Sequence, residues 1–164
     1  MITLQTDCLI LGGGLAGWMA AREAAAAGLK TMLLHDGMGA SPWVHGFNVP
    51  VYPEDSADIF LQDTLASGQG LSDPALARAL CQDAAEVFDE IRAMGLSFNR
   101  EKDGSYQALR PLGASWPRVV SIGNETGAAI LTRLKEMLKG SVTELPATRA
   151  LKLLKDGSRV CGAL

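Results

Sequence analysis

Six residues constrain this chain more than any others: Gly12-Gly13-Gly14-Leu15-Ala16-Gly17. Such a string is weak by itself, and its setting gives it meaning. Asp7-Cys8-Leu9-Ile10-Leu11 precedes it as a short apolar run, the pattern of a strand buried on both faces of a parallel sheet. An alanine-rich stretch, 15–27, follows as a helix that Gly28 stops, and 29–34 (LKTMLL) reads as a second strand. The spacing is that of a strand–turn–helix built around an anion. Gly12 permits the tight turn off the strand, Gly14 lets a pyrophosphate approach the backbone, and Gly17 lets the helix lie against the sheet. The helix N-terminus then offers free N–H groups and partial positive charge.

The residue closing the second strand is the next candidate, because an acid there usually binds ribose hydroxyls. Here the strand ends Leu33-Leu34-His35-Asp36, so either His35 or Asp36 takes that position. No basic residue follows immediately, so nothing invites a 2′-phosphate.

The rest of the chain alternates helices and turns. Residues 37–53 read as a long loop. Residues 56–67 read as a helix, and Ser72-Asp73-Pro74 opens another that runs to about Met94 and ends at Gly95. That helix is expected to bury Leu76, Leu80, Ala84, Val87, Phe88, Ile91 and Met94. Asp103-Gly104 marks a hairpin within 97–109, 110–120 reads as a loop, 126–138 as an amphipathic helix, and 151–164 as a second hairpin turning at Asp156-Gly157. Arg110, Arg118 and Glu125 are expected to be solvated, and no residue is nominated as a catalytic acid.

Composition narrows the function classes. Of 164 residues, 48% are apolar and 20% charged, enough for one folded domain with a core. A net charge of −3 without a basic patch argues against nucleic acid as a partner. No apolar run approaches the ~18 residues of a membrane span. The first residues lack the basic start of a secretory leader, which leads us to expect a cytoplasmic protein. Cys8, Cys81 and Cys161 form no paired motif and are expected to be core residues, so neither a disulfide nor a metal site is expected.

Taken in order, the motifs resemble those of the flavoprotein subunits of succinate dehydrogenase and fumarate reductase and of L-aspartate oxidase. The glycine fingerprint is the first match and the loop Ser41 to Asn48 (SPWVHGFN) the second. Asp63-Thr64-Leu65 with Gly68-Gln69-Gly70-Leu71-Ser72-Asp73 is the third. Met94-Gly95-Leu96-Ser97-Phe98 with Arg110-Pro111, then Glu125-Thr126-Gly127, then Gly162-Ala163-Leu164 complete the series.

The resemblance implies an α/β fold: a Rossmann-like FAD-binding βαβ unit over 6–36, a flavin-side loop over 37–53, and a helical and hairpin region over 54–164. Together, 1–164 would be the N-terminal part of an incomplete flavoprotein FAD domain. It implies FAD held by Gly12, Gly13, Gly14, Leu15, Ala16, Gly17, His35 and Asp36, with Ser41, His45 and Gly46 toward the flavin. Family members that bind the flavin covalently use a histidine just before this loop. Ala40 or Ser41 stands there, so FAD is expected to be non-covalent. Phe47, where the family pairs glycines, is expected close to the flavin.

A small dicarboxylate would be the substrate of the full enzyme, with a C-terminal half or separate subunit completing the site. The final residues, Cys161-Gly162-Ala163-Leu164, read as a strand interrupted mid-sheet, so the chain alone is expected to be catalytically incomplete. The apolar edge at 160–164 would then favour aggregation or a dimer. The rivals are a non-catalytic FAD-binding or docking module, an NAD-binding domain, and an inert fragment. The long 41–73 segment argues against the NAD-binding domain, because a simple nucleotide repeat would return to a third strand sooner.

Overall fold

A computed structural model describes residues 2–164; Met1, the first residue of the expected 1–164 domain, lies outside the described residues. The chain forms two compact units, one from 1–43 and 127–164, the other from 44–126.

The first unit is built on a parallel sheet. Strand β1 (Cys8–Leu11) pairs with β2 (Thr31–Leu34), with Cys8 opposite Thr31 and Leu11 opposite Leu34. Helix α1 (Leu15–Ala26) connects them, and Gly28 ends it with φ +75°, a backbone that favours glycine. The expected strand–helix–strand is therefore present. Because β2 is central, Thr31, Met32 and Leu33 are all buried. Burying a side chain such as Leu33 contributes roughly 1.5–3 kcal/mol.

The sheet's third strand comes only after the remaining helices. Helices α2 (Ala57–Ser67) and α3 (Pro74–Ala93) belong to the second unit, and α4 (Thr126–Met137) leads back to the first. Ile130, Leu131, Leu134 and Leu138 are buried along and just beyond α4. Strand β6 (Val142–Leu145) then pairs in parallel with β2, giving the order β1-β2-β6. A hairpin of β7 (Leu153–Asp156) and β8 (Arg159–Ala163) follows, as expected, turning at Gly157. Its apolar side chains are exposed, Leu153, Leu154 and Val160 among them.

In the second unit the helix starts match the sequence signals. Ser56 caps α2 by accepting from the Ile59 N–H, and Asp73 caps α3 by accepting from Ala75 and Leu76, with Pro74 at the first helical position. The buried stripe of α3 differs from expectation. Ala77, Cys81, Phe88 and Ile91 are buried, whereas Leu76, Leu80 and Val87 are exposed. The small residues Ala77 and Cys81 allow close packing against Phe60 and Leu61 of α2, and that contact rotates the two leucines outward.

The segments 37–53 and 110–120, expected to be loops, each supply part of a small antiparallel sheet. Strand β3 (Phe47–Asn48) and β4 (Ala108–Leu109) both pair with β5 (Val119–Val120). Ahead of β4, Arg100 bridges Tyr106 across the Asp103-Gly104 turn, the expected hairpin in short form. Phe47 does not stand free. Its ring meets the edges of Phe88 and Phe98 at 6.0 and 5.7 Å, in an aromatic cluster.

Two expectations about single residues fail here. Arg118 is fully buried, because the carboxylates of Asp55 and Asp63 converge on its guanidinium and replace the water it would lose. Cys161 is exposed and Cys8 half-buried, since the hairpin that carries Cys161 has no layer over it; only Cys81 is a core cysteine, and all three are free thiols. No described helix is long and apolar enough to cross a membrane.

Candidate functional site

Nine of the eleven nominated residues lie in the first unit, where β1 and β2 end and α1 begins. Gly12 leaves β1 with φ +120°, a conformation that side chains rarely adopt, and its N–H donates to the Leu34 carbonyl at 2.9 Å. The first helical bond of α1 runs from the Trp18 N–H to the Gly14 carbonyl. The N–H groups of Leu15, Ala16 and Gly17 therefore precede the hydrogen-bond ladder. No side chain of the N-cap residue Gly14 serves them, and no acid stands in the first turn. The Ser41 hydroxyl, from a 3-10 turn at Ser41–Trp43, accepts from the Leu15 N–H at 3.0 Å.

The glycines are held by contact. A Cβ on Gly17 would lie 2.0 Å from the Gly12 carbonyl oxygen, so no side chain fits there. One on Gly14 would lie 2.9 Å from Ser41 Oγ, and one on Gly13 would lie 2.5 Å from the His35 ring. Gly12, Gly13, Gly14, Leu15, Gly17, His35 and Ser41 are thus brought together, with Ala16 exposed in the first turn.

The strand-end pair divides in two. His35 is buried, whereas Asp36 is exposed and forked by Arg149 through Nε, at 3.0 Å, and through a second guanidinium nitrogen. With Arg149 itself 74% exposed, that pair is worth about 0–1 kcal/mol. The Gly37 N–H donates to His35 Nδ1 at 3.1 Å, and Nε2–H donates to Glu144 on β6 at 2.8 Å. Lys135 of α4 donates to the same Glu144 oxygen at 2.7 Å and lies over the Trp18 ring. The Trp18 indole N–H, also buried, has no partner among the described residues.

Sequence reasoning missed Glu144, Lys135 and Arg149. The short Val142-Thr143-Glu144-Leu145 run carries no strong apolar signal, and Arg149 stands 113 residues from Asp36.

His45 and Gly46 lie in the second unit. The exposed His45 donates from Nδ1 to the Asn124 carbonyl at 2.7 Å, and its own carbonyl accepts from the buried Thr126 hydroxyl. A Cβ on Gly46 would stand 2.6 Å from the Val120 carbonyl oxygen, so packing on β5 already requires glycine there. No cluster of three or more potential metal ligands occurs among the described residues.

Two carboxylates carry a pH signature. Burial pushes the Glu144 carboxyl up, but bonds from Lys135 and His35 outweigh it and hold it below its ordinary value. Burial likewise raises Asp63, and bonds from Ser115 and Arg118 bring it below its own. A depressed carboxyl stabilises the fold above its unfolded pKa and loses that contribution as pH falls through the folded value. Urea midpoints are therefore expected to hold from pH 7 to about 5 and to fall below about pH 4. A midpoint unchanged at pH 3 would contradict the pairing.

The profile of the family described as "FAD binding domain" matches residues 7–164. Among curated proteins, the chain is 29% identical to a fumarate reductase (CoM/CoB) from Methanothermobacter marburgensis, covering 98% of this chain and 31% of that protein. It is 31% identical to the L-aspartate oxidase of Agrobacterium fabrum, covering 94% of this chain and 31% of the oxidase. The fold matches that of E. coli quinol fumarate reductase FrdA with a TM-score of 0.90 at 24% identity, covering 99% of this chain and 29% of that one. The chain thus spans about a third of the length of these relatives.

Proposed function

The chain belongs to the FAD binding domain family, and from that premise we propose that it is the FAD-binding portion of an oxidoreductase of the fumarate reductase, succinate dehydrogenase and L-aspartate oxidase type. The observation that carries this reading is the uncapped start of α1 at the ends of β1 and β2, with Gly17 pressed against the Gly12 carbonyl. These residues fit a dinucleotide. Phosphates find first-turn N–H groups, a favourable helix dipole and a backbone bare of side chains at Gly12 and Gly14. When bound, the flavin supplies two-electron hydride chemistry.

The contribution of this chain is binding. Gly12, Gly13, Gly14, Leu15, Ala16 and Gly17 hold the pyrophosphate, His35 and Asp36 border the adenosine ribose, and Ser41 both braces the helix start and borders the flavin side. His45 and Gly46 belong to the flavin side as well. In the whole protein a small dicarboxylate is the substrate, in keeping with the names of the relatives, and further chain or a second subunit completes the catalytic site. Attachment is non-covalent, because no histidine occupies the stretch 36–44 before the loop.

A visible spectrum of the purified chain with and without FAD, with NAD as control, tests this. The expected result is a shifted flavin spectrum that acid precipitation removes from the protein, and no response to NAD. Flavin retained on the precipitate overturns the non-covalent attachment, and no shift with FAD overturns the binding assignment.

A second reading, a non-catalytic FAD module that docks on a separate catalytic partner, draws on the exposed apolar side chains of the β7–β8 hairpin. Reduction of bound flavin by succinate with this chain alone would sink it.

A further inference from the structure

We propose that Glu144 fixes His35 as an uncharged hydrogen-bond acceptor for a ribose hydroxyl of the dinucleotide, in place of a strand-end carboxylate. The assignment rests on the FAD reading above. At the end of β2 the carboxylate that a nucleotide-binding sheet normally presents is missing as a free group. Asp36 is there, but Arg149 forks it and draws it outward. What stands against the glycine turn is the His35 ring, 2.5 Å from where a Cβ of Gly13 would be.

Both ring nitrogens of His35 have defined roles. Glu144, held ionised by Lys135, can only accept, so the proton is on Nε2. Nδ1 then carries a lone pair, and it now accepts from the Gly37 N–H at 3.1 Å. Gly37 has φ +116° and Gly39 φ +60°, and an added Cβ on either would meet nothing within 4 Å. That turn is free to shift. A ribose hydroxyl donates to Nδ1 in place of Gly37, and the released Gly37 N–H donates to a sugar oxygen. No bond is lost in the exchange. Glu144 touches no ligand in this arrangement and is a positioning residue.

The consequence is a pH dependence opposite to that of an acid-lined site at mild pH. An imidazolium has no acceptor, so hydroxyl recognition disappears when His35 is protonated, whereas a carboxylate keeps accepting down to about pH 4. The charged groups facing the ring are Glu144 on β6 and, through it, Lys135 on α4, with the Asp36–Arg149 pair outside. Glu144→Gln keeps the bond to Nε2–H but removes the anion that stabilises imidazolium, so recognition persists to lower pH.

The test is calorimetric titration of the full chain with ADP, 2′-deoxy-ADP and 3′-deoxy-ADP between pH 5.5 and 8.5. At pH 8 one deoxy analogue is expected to bind about 3–10-fold more weakly than ADP, and the penalty is expected to vanish on acidification. Glu144→Gln moves that loss to lower pH, and His35→Phe, which keeps a flat ring, removes the penalty at every pH. If ADP binds but neither deoxy analogue is penalised, or the penalty is the same at both ends of the range, the acceptor role of His35 is wrong and the nucleotide site stands. Failure of the wild-type chain to bind ADP at any pH overturns both. The wild-type pH profile and His35→Phe decide the matter even if Glu144→Gln does not fold.

Discussion

Replacing Arg118 by methionine is expected to unfold the 44–126 unit or to lower its stability by about 3–5 kcal/mol, a large share of the roughly 5–15 kcal/mol that holds a domain together. The side chain is 1% exposed, between Asp55 at 0% and Asp63 at 15%. Its Nε and one terminal nitrogen fork onto the two Asp55 oxygens at 2.6 and 2.7 Å, the other reaches Asp63 at 2.5 Å, and the guanidinium lies 5.0 Å from the centre of the Phe60 ring. Ser115 completes Asp63 with two bonds of 2.8 Å. Burial alone would lower the Arg118 pKa, but the bonds from Asp55 and Asp63 outweigh it and raise it.

Without the cation, two carboxylates face each other out of water, which is why the penalty exceeds the net worth of the pairs. Arg118→Lys is expected to recover only part of the loss, because an ammonium is a point charge and cannot fork onto Asp55 while reaching Asp63. Replacing all three groups by apolar residues of similar volume is expected to be far milder than Arg118→Met alone. Urea midpoints, with hydrogen exchange to localise the change to 44–126, check the series. An Arg118→Met midpoint within about 0.5 kcal/mol of wild type, the range of an ordinary surface change, would remove the triad from the structural core.

This arginine also marks the limit of what the sequence could say. Its partner Asp55 is 63 residues away, and the run Ser115-Trp116-Pro117-Arg118 carries no periodicity, so nothing local announces burial. The same holds for the three-strand sheet of β3, β5 and β4, whose two-residue strands are too short to show alternation. Strand β6 owes its conformation to pairing with β2 rather than to its own composition. The β1–α1–β2 unit was legible because glycine spacing and an apolar run are local and coincide, and the starts of α2 and α3 because Ser56 and Asp73-Pro74 act within one turn. Helix α3 shows the intermediate case. Its amphipathic character was readable, but the choice between Leu76–Leu80 and Ala77–Cys81 as the inner stripe depended on how closely α2 approaches. In the candidate site, the glycines were legible and the partners of His35 and Asp36 were not, because those arrive from beyond residue 130.

The glycines of the α1 turn give the sharpest separation between folding and binding. Gly17→Ala is expected to damage both. Its Cβ would sit 2.0 Å from the Gly12 carbonyl oxygen and 3.1 Å from the Gly12 carbonyl carbon, backbone atoms that cannot turn away, so α1 must lift from the end of β1. Overpacking of this kind costs about 1–3 kcal/mol or more, and displacement of the helix start removes its N–H groups from the phosphates. Gly14→Ala meets a different obstacle. Gly14 has φ −78° and ψ −178°, which any residue adopts, and the nearest atom to the new methyl is Ser41 Oγ at 2.9 Å. That hydroxyl can rotate aside at the loss of its bond to the Leu15 N–H, about 0.5–1.5 kcal/mol. The fold is therefore expected to survive with a small drop in melting temperature, while the methyl stands where the pyrophosphate must approach and FAD retention is lost. Melting curves and flavin absorbance measured on both variants check this. Gly14→Ala that retains FAD as the wild type does would remove Gly14 from the phosphate contact, and Gly17→Ala that melts with the wild type would mean α1 tolerates a separation from β1 that the Gly12 contact rules out.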